Sequence, residues 1–155
     1  MADAKDLASR YGIAPATGYA GDVSPQTAWR MLSELPDATL IDVRTAAEWN
    51  FVGFPDLTPV GKTLVEIEWQ AFPAMKVDPD FAGKLDQRLG GHRDAPLLML
   101  CRSGARSAAA AAVMTTAGYA NSFNVANGFE GPLDPSGRRG SVAGWKHDGL
   151  PWRQR

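Results

Sequence analysis

The chain has 155 residues, 45% hydrophobic and 21% charged, which is enough for one soluble domain with a full core. A net charge of -1 gives no bulk attraction to nucleic acid or an anionic membrane, and no apolar run approaches the ~20 residues of a membrane span. A single cysteine cannot close an internal disulfide, and the polar start Met1-Ala2-Asp3-Ala4-Lys5-Asp6 lacks the apolar stretch of a secretion signal, so a cytoplasmic setting is expected.

Residues 1–18 read as an N-terminal arm or short helix, and residues 19–155 as a single domain. Helical composition over residues 3–11 ends at Gly12 and Pro15. Tyr19 to Val23 suits a short edge strand. Ser24-Pro25 is a helix start, with serine as N-cap and proline where a missing N–H costs nothing. Thr39 to Val43 is a compact apolar run with one acid, read as a buried parallel strand. Thr45 and Glu48 have the spacing of a capping box. Gly53 to Asp56 reads as a turn, and Thr63 to Ile67 alternates like a strand near a sheet edge. Residues 68–78 read as loop, anchored to the core by Trp69, Phe72 and Met75, with Trp69 or Phe72 candidates to line a pocket. Phe81, Leu85 and Leu89 recur at helical spacing before Gly90-Gly91. Leu97 to Leu100 is a second apolar strand, Ala108 to Ala117 its helix, and Ser122 to Val125 a further strand. Asn127 to Gly131 is a turn with two glycines, and Trp145 and Trp152 are expected to fasten the tail. Strands alternating with helices predict an α/β fold with a mainly parallel sheet flanked by helices on both faces.

The chemistry concentrates where the second apolar strand ends. Cys101 is followed by Arg102, Ser103, Gly104, Ala105, Arg106 and Ser107. In open parallel sheets, ligands bind beyond the carboxyl ends of strands. A helix N-terminus offers unpaired N–H groups and a dipole that favour an anion and a thiolate. A cysteine in such a place is equally a small buried hydrophobe. Two arginines and a glycine beside it do not suit a dry core. The loop therefore reads as an anion cradle, with Cys101 as nucleophile and Arg102 and Arg106 as its fixed positive charge. Arg106 lies at a helix start, where a cation is disfavoured, so a negative group is expected to compensate it. Arg44 and Glu48, four apart, are candidates for an ion pair. His92 and His147 are too scattered to build a metal site with the one cysteine, and no metal or organic cofactor is expected.

Leu40-Ile41-Asp42-Val43-Arg44 with Glu48-Trp49, then Cys101-Arg102-Ser103-Gly104-Ala105-Arg106-Ser107, then Asn127-Gly128-Phe129-Glu130-Gly131, then Gly149-Leu150-Pro151, resembles the rhodanese family in order and over about residues 20–152. The resemblance implies a five-stranded parallel sheet and a cysteine that carries sulfur as a persulfide. It implies that Cys101 is the sulfur-accepting nucleophile, that Arg102 to Ser107 form the anion pocket, and that Asp42, Arg44 and Glu48 support it. It further implies a small anionic sulfur donor such as thiosulfate and a thiol, cyanide or protein acceptor. After Glu48 the chain departs from the family's Gly-His-Ile-Pro-Gly-Ala, having Gly53-Phe54-Pro55-Asp56-Leu57 and a long segment to Phe81. Specificity is therefore expected to lie in residues 53–78.

A cysteine phosphatase or arsenate reductase is the weaker alternative: cysteine phosphatases resemble this arrangement but place a larger ring around a phosphate. Only residues 102–105 separate Cys101 from Arg106 here, which suits a sulfane sulfur better. A phosphatase also needs a proton donor for its leaving group, and Asp42, inside a strand, is a poor one. A non-catalytic sulfur-carrier or interaction module of the same fold is the other alternative.

Overall fold

The structure is a computed structural model that describes residues 2–155; residue 1 of the arm lies outside the described residues. Five parallel strands form the main sheet: β1 (Gly21–Val23), β2 (Thr39–Asp42), β4 (Val65–Glu66), β7 (Leu97–Leu100) and β8 (Ser122–Val125), in the order β1-β8-β7-β2-β4. The strand that carries Cys101 at its carboxyl end, β7, is thus the central one. Alternation along β2 and β7 splits the core into two layers. Leu40, Leu98 and Leu100 face α1 (Ala4–Tyr11) and α2 (Pro25–Glu34), whereas Ile41, Leu97 and Met99 face α4 (Phe81–Leu89) and α5 (Ala105–Thr116). Both faces of the sheet are covered, which is why these strands read as continuous apolar runs.

The helix starts follow local chemistry. Ser24 accepts from the Thr27 N–H, with Pro25 in the first turn of α2. Thr45 accepts from the Glu48 N–H and Glu48 reaches back to the Thr45 N–H, opening α3 (Ala46–Phe51). Asp3 caps α1, which buries Leu7 and Tyr11 in the same layer as Met31 and Leu98. On the inner side of α5, Ala110 and Ala111 are fully buried, and their small side chains let the helix lie close on the sheet. No helix among the described residues is long and apolar enough to cross a membrane.

Three segments differ from the sequence reading. Residues 68–78 are not an anchored loop. They contain a hairpin of β5 (Gln70–Ala71) and β6 (Lys76–Val77), and only Trp69 reaches the core, edge-on to Phe81. Phe72 is 75% exposed and Met75 39% exposed. Such a short excursion has too few neighbours to bury the residues at its tip. Phe54–Pro55 is a short strand, β3, which pairs antiparallel with β9 (Trp152–Arg153) near the C-terminus. Finally, α5 begins at Ala105 rather than Ala108, so the loop after Cys101 is only three residues long.

The C-terminal segment is fastened by its tryptophans. Trp145 is fully buried, edge-on to Trp29, with its indole N–H on the Pro151 carbonyl. Trp152 packs edge-on against Phe129.

Asp42 and Arg44 are both fully buried at the end of β2. Arg44 Nε and Nη2 donate to the Asp42 carboxylate at 2.9 and 2.7 Å, the Arg44 backbone N–H donates at 3.1 Å, and Nη2 also reaches the Gly53 carbonyl. The guanidinium lies 4.3 Å from the Phe129 ring centroid. Removing one partner would leave an uncompensated buried charge. Replacing Asp42 or Arg44 by alanine is expected to lower unfolding free energy by about 3–5 kcal/mol in denaturant titrations. A loss under about 1 kcal/mol would show that the pair does not support the fold.

Candidate active site

Cys101 directly follows β7 and is 1% exposed. Two polar groups approach its sulfur, the Gly104 N–H and the Ser107 Oγ, each 3.1 Å from Sγ. The turn that brings Gly104 back over the sulfur needs its φ of 116°, a region that disfavours a side chain. Ala105 is the first residue of α5, so the thiol sits at the N-terminus of a 12-residue helix. The first N–H groups of that helix have no partner within it and face the same region.

The loop is held from behind by the Asn127-Gly128 turn. Phe129 N–H donates to the Cys101 carbonyl at 2.8 Å, and the Glu130 and Gly131 N–H groups donate to the Arg102 carbonyl. A Cβ on Gly128 would lie 2.5 Å from the Cys101 oxygen and 2.6 Å from the Arg102 carbonyl carbon. Only glycine permits that approach. Trp145 N–H in turn holds the Gly128 carbonyl at 2.9 Å. The cradle is therefore built from three chain segments: Cys101 to Ser107, the Asn127 to Gly131 turn, and the stretch at Trp145.

Arg106 is not a free cation. Its guanidinium makes a two-point pair with Glu48, at 2.8 and 3.0 Å. The negative group expected beside Arg106 is thus Glu48. Glu48 does not pair with Arg44, whose partner is Asp42. Burial pushes the Glu48 carboxyl up, but the Arg106 hydrogen bonds and charge outweigh it and hold the carboxyl below its ordinary value. Glu48 thus caps α3 and ties it to α5 with one side chain. Arg102 is exposed and pairs with no carboxylate among the described residues, so it is the uncompensated positive charge of the site. Ser103 is half-buried on the rim.

A cleft of about 320 Å³ opens over the loop. Its walls are Cys101, Arg102, Ser103, Ala105 and the Glu48–Arg106 pair, with Gln70 and Met75 of the hairpin on the far side. Trp69 and Phe72 do not line it; Gln70 of β5 and Met75 of the turn do. Asp42 and Arg44 lie beneath the Phe129 turn and act on the loop through it. Asn124, Asp22 and Tyr19, none singled out from the sequence, are joined to Ser107 by hydrogen bonds. One signal pointed to Asn124: it is a polar residue in the otherwise buried run Ser122 to Val125.

The lowered Glu48 value sets a pH dependence. A carboxyl held below its unfolded value contributes stability at pH above that value, and the contribution is lost as pH falls through the folded value. Glu48→Gln is expected to melt at lower temperature than the wild type at pH 7. The gap should narrow as pH falls below the ordinary glutamate value of about 4.3 and close once pH passes the lowered folded value. A gap that stays constant throughout that descent would exclude the ion pair as its cause.

Residues 20–155 match the family described as the STR4 middle domain. The crystal structure of Rv0390 from M. tuberculosis superposes with a TM-score of 0.80 and is 47% identical, covering 88% of this chain and 99% of that one. The thylakoid rhodanese-like protein of Oryza sativa subsp. indica is 30% identical over 132 residues, which are 85% of this chain and 25% of that longer protein. A protein of Allochromatium vinosum named sulfurtransferase is 25% identical over 130 residues, covering 84% of this chain and 92% of the relative. With its parallel five-stranded sheet and these relatives, the chain belongs to the rhodanese-like family, within the group described as the STR4 middle domain.

Proposed function

We propose that the protein is a sulfurtransferase that moves a sulfane sulfur from an anionic donor such as thiosulfate to a thiophilic acceptor through a persulfide on Cys101. One observation carries this reading: the only cysteine ends the central parallel strand against a helix N-terminus, with Gly104 N–H and Ser107 Oγ both 3.1 Å from its sulfur, under an open cleft. The sulfurtransferase name of the A. vinosum relative supports it.

In the first step the Cys101 thiolate attacks the outer sulfur of thiosulfate. A Cys101–sulfur bond forms, the donor's sulfur–sulfur bond breaks, and sulfite leaves with the bonding pair. The transferred sulfur carries the negative charge. Unpaired N–H groups of the loop and the first turn of α5 stabilise it, and Arg102 adds an open positive charge. In the second step cyanide or a thiol attacks that sulfur, and the Cys101 thiolate is restored. The two half-reactions predict ping-pong kinetics. No step calls for an electron carrier or a metal. A carrier module of the same fold would form the same persulfide but pass it to a protein acceptor, so acceptor turnover separates the two readings.

Intact mass after incubation with thiosulfate tests the proposal. A gain of one sulfur atom, absent in Cys101→Ser and released by cyanide, is expected. No adduct with any sulfane donor, together with hydrolysis of an aryl phosphate, would overturn it. Arg102→Gln is expected to raise KM for thiosulfate by about tenfold, the worth of one hydrogen bond to a charged group, with a smaller effect on kcat. Unchanged donor kinetics would remove Arg102 from donor binding.

A further inference from the structure

The sulfur of Cys101 ends a chain of polar groups that runs to the protein surface. Ser107 Oγ lies 3.1 Å from Cys101 Sγ and 2.6 Å from Asn124 Oδ1. Asn124 Nδ2 donates to Asp22 Oδ1 at 2.9 Å, and the Tyr19 hydroxyl donates to the same oxygen at 2.8 Å. The parallel register of β1 and β8 sets Asp22 opposite Asn124. Ser107 and Asn124 are buried, whereas Asp22 is exposed.

Counting hydrogens decides which way the chain points. A carboxylate only accepts, so Asp22 takes the amide NH₂ of Asn124 and turns Oδ1 toward Ser107. A serine hydroxyl has one hydrogen to give. Of its two acceptors the buried Asn124 amide oxygen is the stronger, since a thiol sulfur accepts only weakly. With that hydrogen committed, Ser107 has only lone pairs left for Cys101. A thiol satisfies them by donating S–H. A thiolate does not: either it faces lone pairs, or it takes the hydrogen and strands a buried oxygen. Once sulfur is loaded, the inner Sγ is an uncharged bridging atom and requires no hydrogen.

We propose that Asp22, acting through Asn124, directs the single Ser107 hydrogen away from Cys101. The chain then opposes the bare thiolate and leaves the thiol and the sulfur-loaded form unopposed. Asp22 and Asn124 are positioning residues in this scheme. It rests on the reading of Cys101 as nucleophile. The other charged groups around the sulfur are Arg102 on the loop, Arg106 of α5 paired with Glu48 of α3, and Asp42 with Arg44 at the end of β2. None of them changes in the variants below.

The test is the rate of Cys101 alkylation by iodoacetamide, followed from about pH 6 to pH 10 without any sulfur donor. In Asp22→Asn nothing compels the Asn124 amide to present its NH₂ to residue 22. The amide can turn its NH₂ toward Ser107 and free the hydroxyl hydrogen for the sulfur. Alkylation near neutral pH is expected to be about tenfold faster than in the wild type, with the profile moved to lower pH and its plateau unchanged. Loss of a negative charge alone would act in the same direction. The substitution is therefore repeated in Ser107→Ala, which cuts the chain but not a through-space effect. The acceleration is expected to vanish there. Equal acceleration in both backgrounds, or none in the presence of Ser107, would overturn the proposal. Asn124→Leu supplies a second cut should Ser107→Ala not fold: it frees the hydroxyl by itself, so Asp22→Asn should add nothing to it. A protein that shows the shift but takes no sulfur would sink the transfer reading alone. One that takes sulfur but shows no shift would sink this inference alone.

Discussion

The arrangement depends on one buried ion pair. Asp42 and Arg44 lie two residues apart at the carboxyl end of β2, both shut away from solvent. A charge in such a place is tolerable only if its partner and hydrogen bonds are complete. The Asp42 carboxylate takes three N–H groups of Arg44, and the guanidinium has the Gly53 carbonyl and the face of Phe129 for the rest. Only Nη1 is left without a hydrogen-bond partner among the described residues. Because Phe129 rests on that guanidinium, the turn containing it has one available height above the sheet. The turn then holds the Cys101 and Arg102 carbonyls through its own N–H groups. The position of the thiol loop is thus set by a salt bridge that does not touch the sulfur.

A second tie acts from the side. Glu48 satisfies the start of α3 and grips Arg106 at the start of α5. This removes the conflict between a cation and the positive end of a helix dipole. It also changes the electrostatics of the site. A loop with two arginines reads as doubly positive, yet one charge is spent on a carboxylate. What remains open at the cleft is Arg102 and the backbone N–H groups. The loop around Cys101 therefore presents oriented backbone dipoles more than side-chain charge.

The elements around Cys101 were legible because their signals are local. The strand ending at Cys101, the glycine that permits the tight turn, the cap at Ser24 and the capping box at Thr45 and Glu48 each need only neighbours along the chain. The hairpin at residues 70–77 was not legible in the same way. Apolar residues such as Phe72 and Met75 are read as core anchors from sequence, but a two-residue strand pair has no second layer to bury its tip. The pairing of β3 with β9 was hidden for another reason. It joins residues almost a hundred positions apart, and neither strand has an alternating pattern long enough to register.

By itself the sequence determined the α/β alternation, the thiol at the end of a buried strand, and the spacing of four residues between Cys101 and Arg106. These depend on periodicity, caps and glycine, which act over a few residues. Only the tertiary structure decided how the charges are shared: Asp42 with Arg44, Glu48 with Arg106, and Arg102 left open. Only it brought Asp22 and Asn124 in behind Ser107, through the register of two parallel strands about a hundred residues apart. Ion pairing and hydrogen-bond direction depend on distances between side chains from different elements. No local pattern records those distances until the sheet order is known.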